Sequence, residues 1–378
     1  MNGAVFPAPW KSLARGGRSC QTVDRVVRSF GSESSASPSL VSQLDSALHN
    51  AAALIEEAPI LTLACHAHPD GDALGSMLAL AHLARAQGRT VVASWPNPFV
   101  AGENYRSLPG LESCVSSDSV DDAPAVMVTF DCGSMDRLGE LAVPATDALR
   151  RGHLIVVDHH ATNCGFGSVN VVDPSAAASA VVVRQLANVL GWPLNRDSAY
   201  CLYAALVADT GHFQHGNTDA GVFELARELA SFGLPIAELS RQLSGQHRFA
   251  YIQLAAAVLS LAVLDTDVGL VSAVITRADR ERFNVSYTEA EGLIEWLRTT
   301  SEASVAAVCK ETDAGYRVSL RSVDAPGSID VAAIAQSFGG GGHRLAAGFL
   351  MKAPLASVLA AVRHCVVSAR TTQVTPAT

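Results

Sequence analysis

The segment Ile60-Leu-Thr-Leu-Ala-Cys-His66-Ala-His68-Pro-Asp70-Gly-Asp72-Ala-Leu-Gly-Ser76 sets fold and chemistry together. Its apolar run, Ile60 to Cys65, has the length and composition of a buried strand. A Pro-Asp-Gly turn ends that run, and Asp72 to Gln87 reads as a helix stopped by Gly88. His66, Asp70 and Asp72 therefore crowd one strand exit. An imidazole and two carboxylates on one short turn suit a divalent cation that takes nitrogen and oxygen ligands, such as Mn2+. On a turning backbone Asp70 and Asp72 can face different cations, with His66 joining Asp70. The plainer role for Asp72 is to cap the following helix.

The same pattern recurs outward from this segment. Thr90–Ser94, Ala125–Phe130 and His153–Val157 are strand-like, and the last two run directly into aspartates. Apolar runs alternating with helices indicate a parallel sheet covered on both faces, an α/β fold. Ligands in such sheets collect at the carboxyl ends of the strands. Asp131 stands at one such end, where a carboxylate can bridge two cations. Asp158-His159-His160 stands at another. There the acid can hold a histidine ring nitrogen while one imidazole binds metal and the other meets phosphate. Asp209 closes the apolar helix Asp197–Ala208, a terminus that disfavours an acid unless a cation is near. Asp173–Leu190 and Phe223–Arg248 also read as helices.

Beyond residue 264 the pattern changes. Gly269–Ile275, Ala303–Lys310 and Tyr316–Arg321 are strand-like, with Glu311–Gly315 a hairpin loop between the last two. Tyr287–Arg298 and Asp330–Phe338 are helical in spacing. In Gly339-Gly-Gly-Gly-His343-Arg344, glycines such as Gly341 and Gly342 let backbone N–H groups converge on an anion, with His343 and Arg344 as added donors. Arg321, at a strand end, is a second phosphate clamp. The expected organisation is an extension over 1–40, a parallel-sheet catalytic domain over 41–225, and a helical linker over 226–264. A smaller α/β domain with a mixed sheet follows over 265–370, then a tail over 371–378.

With 378 residues, 49% hydrophobic and 17% charged, the chain is globular, and its formal net charge of −9 disfavours long nucleic acid as a partner. A short nucleotide held by a few local arginines remains compatible. The longest nearly apolar stretch, Ile252–Leu264, is too short to span a bilayer and reads as core. Eight scattered cysteines without a Cys-x-x-Cys pair fit reduced thiols in the cytoplasm. Residues 1–40 carry Lys11, Arg15, Arg18, Arg25 and Arg28 and end in a Ser-rich stretch. That composition suits a disordered extension, and occurs in transit peptides too.

These stations, in this order, resemble the DHH/DHHA1 phosphoesterases, most of all the nanoRNase branch of bifunctional oligoribonucleases and PAP phosphatases. The likeness runs from about residue 45 to 370. It rests on His66-x-His-Pro-Asp70-Gly-Asp72, Asp131 with Asp136-Arg-Leu-Gly139, Asp158-His-His160, Asp209-Thr-Gly211 and the glycine run before His343. It implies one Mn2+ on His66 and Asp70, another on Asp72, His159 and Asp209, and Asp131 bridging; Mg2+ or Co2+ are possible substitutes. It further implies that Asp158 orients His159, that His160 meets the scissile phosphate, and that Arg321 and His343 grip the terminal phosphate and nucleotide. The substrates implied are short RNA and 3′-phosphoadenosine 5′-phosphate, with cyclic di-AMP or pApA as an alternative. A homodimer is implied as well. The Asp-His-His centre is shared with family II inorganic pyrophosphatases, and the same cleft would serve a non-catalytic nucleotide sensor.

Overall fold

Strands that run into a histidine or an acid become neighbours whose ends are level. The computed structural model describes residues 38–374, apart from 245, 246, 324 and 326. The first half runs α1 (Pro38–Glu57), β1 (Ile60–Cys65), α2 (Gly71–Ala86), β2 (Thr90–Ser94), β3 (Val126–Phe130), α3 (Ala142–Arg150), β4 (Leu154–Asp158), β5 (Val169–Val172), α4 (Ser179–Val189) and α5 (Arg196–Asp209). Its five strands are all parallel, in the order β2-β1-β3-β4-β5. Alternate residues serve opposite faces. Leu61, Leu63 and Cys65 join the core built with α2, α4 and α5, whereas Ala64 and Met127 pack with Ala145 and Ala148 of α3. Cys65 pairs with Phe130 and Phe130 with Val157. The next residues, His66, Asp131 and Asp158, thus leave three adjacent strands on one level. Winding reverses between β1 and β3, where doubly wound sheets keep their ligands.

Two glycines set how closely α2 and α5 approach. A Cβ on Gly71 would lie 2.6 Å from the Ala208 Cβ, and one on Gly75 would lie 2.5 Å from the Cys201 carbonyl oxygen. Glycine at both positions lets the helices touch backbone to backbone. That contact brings Asp72, in the first turn of α2, beside Asp209, the last residue of α5.

Three helices follow: α6 (Ala220–Ala230), α7 (Ile236–Ser244) and α8 (Phe249–Leu259). The second half then runs β6 (Val263–Asp265), β7 (Leu270–Ile275), α9 (Arg277–Phe283), α10 (Leu293–Leu297), β8 (Val305–Thr312), β9 (Gly315–Ser322), α11 (Val331–Gln336), β10 (Gly341–His343), β11 (Ala346–Met351) and α12 (Leu355–Val374). Its sheet, in the order β10-β11-β9-β8-β7-β6, is mixed: β7 and β8 are parallel and the other pairs antiparallel. Helices α11 and α12 cover one face with Val318, Leu320 and Phe349, while α8 and α10 cover the other with Val271, Ala273 and Ala306. Residues from Leu44 onward form one compact unit.

Several local expectations give way to tertiary and turn chemistry. Asp173–Leu190 is not one helix: Asp173 accepts from the amide and hydroxyl of Ser175 in a tight turn, and α4 starts only at Ser179. Phe223–Arg248 is broken where Gly233 adopts φ +70° ahead of Pro235. Ile252–Leu264 is core only in part, since Tyr251, Leu254 and Val258 are buried but Leu261 and Val263 are exposed. Residues 371–374, expected as tail, continue α12. The extension expected over 1–40 lies outside the described residues up to 37, and α1 begins at Pro38. No described helix is long and apolar enough to cross a membrane.

Candidate metal centre

The expected ligands converge in two adjoining groups. His66, Asp70 and Asp131 form one, Asp72, His159 and Asp209 the other, each with its potential ligand atoms within 4.8 Å of one another. Asp131 reaches both: its Oδ2 lies 3.5 Å from His66 Nε2 and its Oδ1 lies 3.7 Å from His159 Nε2. The Asp131 backbone takes φ +53°, a left-handed conformation that a short polar residue tolerates best, and this turns the carboxylate back over the sheet edge.

Backbone carbonyls fix the two histidine ligands. His66 Nδ1 donates to the Ala67 carbonyl at 2.8 Å and His159 Nδ1 to the Ala176 carbonyl at 3.1 Å. A carbonyl can only accept, so both Nδ1 atoms carry the proton and both Nε2 atoms are left as ligands. His159 Nε2 is buried without a hydrogen-bond partner, although Asp209 Oδ2 is 3.0 Å away. An orphaned buried nitrogen facing carboxylate oxygens fits a cation between them. The charges agree. Asp70, Asp72, Asp131 and Asp209 lie within these two groups and Asp158 in an adjoining one with Asp131 and His160; Asp72, Asp131 and Asp158 are almost fully buried, while Asp70 is exposed. Five carboxylates gathered this closely, three of them buried, are costly alone, and two divalent cations would offset four of the charges.

The titration pattern carries the same signature. Burial raises Asp72 well above the ordinary carboxylate range, and the neighbouring Asp131 and Asp209 raise it further. Burial would lift Asp131 too, but the His66 hydrogen bond and the charges of His160, His66 and His159 hold it far below. Burial pulls His159 down, yet the Asp209, Asp72 and Asp131 carboxylates overcome that and raise it. In the absence of cations, protons on the histidines do part of a cation's work.

Asp158 behaves differently from the expectation that it orients His159. Its Oδ1 accepts from His160 Nδ1 at 2.7 Å and from the His159 amide, while Oδ2 accepts from Asn163. The ring it holds is His160, because His159 turns its Nδ1 to the Ala176 carbonyl, in the turn before α4. His343 comes from the second sheet and stacks on His160, with ring centroids 4.2 Å apart and planes at 24°. Desolvation, and behind it the charges of His160 and His159, push His343 down to about 4, so it is neutral near pH 7.

A family model for the DHH family, N-terminal domain, matches residues 61–206, and one for the DHHA1 domain matches residues 267–368. The chain belongs to the DHH/DHHA1 phosphoesterase family. It is 35% identical over 303 residues to the bifunctional oligoribonuclease and PAP phosphatase NrnA of Thermus thermophilus, covering 78% of this chain and 85% of that protein. The protein of the same name in Bacillus subtilis is 28% identical over 288 residues, covering 75% and 86%. Among solved structures, an exopolyphosphatase-related protein from Bacteroides fragilis superposes with a TM-score of 0.80 at 21% identity, covering 87% of this chain and 98% of that one. At that identity the likeness concerns the fold.

On the substrate side of this DHH phosphoesterase, the expected anion donors divide. Gly342 is a glycine for packing: it takes φ +140°, and a Cβ there would lie 2.5 Å from the Ala346 carbonyl oxygen. Gly341 borders open space. Arg344 donates from one Nη to the Ser328 carbonyl and so ties β10 to the preceding loop. Arg321 donates from Nε to Glu295 at 2.8 Å. His68 is exposed at φ +55° and belongs to none of the ligand clusters among the described residues.

Sequence reasoning missed the groups that hold the ligands from behind. Asp72 accepts from the Ser76 hydroxyl and from the amides of Ser179 and Ala180, and Ser179 Oγ donates to Asp131. The N-terminus of α4 therefore steadies two ligands at once. Ser179 ends the run Ser175-Ala-Ala-Ala-Ser179, where small residues before a helix offered only a faint signal.

Proposed function

We propose that the protein is a Mn2+-dependent hydrolase that cleaves short oligoribonucleotides, and 3′-phosphoadenosine 5′-phosphate, to mononucleotides. The observation that carries this reading is Asp131 standing between two ligand groups, one oxygen 3.5 Å from His66 Nε2 and the other 3.7 Å from His159 Nε2, with His343 of the second sheet resting on His160 beside them. A pair of divalent cations held there supplies Lewis acidity toward phosphoryl oxygens and lowers the pKa of water to near neutrality. The protein's own residues do the rest. Asp131 keeps the two triads at a fixed separation, and the α4 N-terminus keeps Asp72 from swinging away. Burial lowers His160, but Asp158 and Asp131 outweigh it and raise the ring. With Nδ1 committed to Asp158, His160 presents its other proton at Nε2 to a phosphate oxygen as charge develops there. Neutral His343 stacks on that ring and shields it from water.

The names of the relatives from Thermus thermophilus and Bacillus subtilis support the substrate class. The negative net charge supports short substrates over long ones. The same reading has the enzyme cytoplasmic and homodimeric. The deciding experiment measures kcat/KM with Mn2+ for 3′-phosphoadenosine 5′-phosphate, pApA, cyclic di-AMP, pyrophosphate and RNA of two to five nucleotides. Mononucleotide release from short RNA and from 3′-phosphoadenosine 5′-phosphate is the expected result. Turnover confined to cyclic di-AMP or to pyrophosphate would replace this reading, and turnover of none would end it.

A further inference from the structure

Tyr105 stands in the segment between β2 and β3, and its ring fits between two glycines. A Cβ on Gly71 would lie 2.8 Å from Tyr105 Cε1 and 3.3 Å from Cζ. One on Gly102 would lie 3.2 Å from Cδ2 and 3.4 Å from Cε2, on the opposite edge. A side chain at Gly71 would displace the ring, and one at Gly102 would crowd it. The backbone around Tyr105 is tied down as well. Its amide donates to the Gly102 carbonyl and its carbonyl accepts from the Leu108 amide. Ser107 donates to Gln242 of α7 and accepts from the Tyr200 hydroxyl of α5. The phenol therefore has one place and one direction.

That place borders the metal centre. Gly71 separates Asp70 from Asp72, which belong to different ligand groups. The Ala208 Cβ, 2.6 Å from the same Gly71 position, precedes the ligand Asp209. Because Cζ carries the hydroxyl, the phenol oxygen is brought to where α2 begins and α5 ends. In the sheet order β2-β1-β3-β4-β5, the Tyr105 segment leaves β2 and His160 follows β4, with Asp131 at the end of β3 between them. Hydroxyl and imidazole approach the centre from opposite flanks.

Packing does not account for the oxygen, since a phenylalanine would fill the same slot. Tyr105 is half-buried, and among the described residues none accepts from its hydroxyl. A tyrosine hydroxyl drawn away from bulk water normally has a partner. The neighbouring carboxylates are ligands, so an oxygen of a bound phosphate is the acceptor left to it. We propose that the Tyr105 hydroxyl donates to a non-bridging oxygen of the scissile phosphate, on the side opposite His160. The inference rests on the reading of the protein as a nucleotide hydrolase and adds a catalytic residue to it. A hydrogen bond from a fixed donor strengthens as negative charge develops on the phosphoryl oxygens. A phenol suits this position better than a lysine or arginine. It supplies the donor without a positive charge that would compete with cations for the carboxylates.

Tyr105→Phe keeps the ring between Gly71 and Gly102 and removes the oxygen alone. With pApA and Mn2+, kcat should fall about 10–100-fold while KM changes by less than about threefold. Mn2+ affinity by isothermal titration, and the melting temperature, should match wild type. Wild-type kcat in the variant overturns the contact. So does a rise in KM at unchanged kcat, which would place the hydroxyl on a part of the substrate that does not react. A loss of Mn2+ affinity that tracks the loss of kcat also overturns it, because Tyr105 would then be a positioning residue for Asp70. A wild type that cleaves neither pApA nor short RNA overturns the hydrolase reading and takes this contact with it.

Discussion

Asp131 concentrates the logic of the site in one residue: a left-handed backbone after a buried strand, and a carboxylate with one oxygen toward each triad. Asp131→Ala should lower kcat by about a thousandfold or more, the scale of removing a group that acts on transition-state charge. It should leave the circular dichroism spectrum intact; retained turnover would contradict the shared role. Asp158 belongs to a different class, because it holds His160 and leaves His159 to the Ala176 carbonyl. Asp158→Asn should cost about 10–100-fold in kcat, the usual cost of losing an orienting partner, while Mn2+ affinity changes little. A parallel fall in affinity would return Asp158 to His159. The ligand types were legible in the sequence because acids and histidines at the ends of apolar runs have few other uses. Which histidine Asp158 would hold was not, since adjacent residues leave a strand in opposite directions and the choice depends on where α4 lies.

At the scale of elements, the Gly71 and Gly75 pair is what lets α2 and α5 carry Asp72 and Asp209 to one place. Gly75→Ala brings a Cβ within 2.5 Å of the Cys201 carbonyl oxygen and 2.8 Å of the Ala205 Cβ. Overpacking of that kind costs about 1–3 kcal/mol. The gain in helix propensity returns at most about 1 kcal/mol. The clash wins, so the melting temperature should fall by several degrees and cation affinity should weaken; a more stable variant would mean the helices are not in backbone contact. Strands β1, β3 and β4 were legible as apolar runs ending in a histidine or an acid. The breaks at Asp173 and Gly233 were not read, because a side-chain turn and a left-handed glycine each interrupt an otherwise helical pattern over one or two residues. The closeness of α2 and α5 was likewise hidden: glycines in a helix weaken the local signal, and their reason lies in a partner well over a hundred residues away.

Across the whole molecule, the metal centre behaves as a store of repulsion that protons and cations relieve in turn. His159 is raised above its ordinary value by the carboxylates around it. A raised histidine stabilises the fold fully below its unfolded value of about 6.5 and loses that contribution as pH climbs through the raised value. The cation-free protein should therefore become less stable as pH rises past neutrality. Cation binding requires neutral His159 and should strengthen over the same range. The melting-temperature gap between Mn2+-loaded and chelator-treated protein should widen from pH 6 to pH 8, and a gap that narrows would contradict this charge balance. The placement of His343 over His160 belongs to this scale too. The glycine run marked a special site, but no local pattern could show that a three-residue strand of the second sheet would reach the first sheet's edge. The central claim is that one carboxylate unites two cation sites. Isothermal titration of Mn2+ into chelator-treated protein tests it most directly: wild type should bind two cations per chain and Asp131→Ala should weaken both, whereas a single site in wild type, or an Asp131→Ala variant that still binds two with unchanged affinity, would contradict the account.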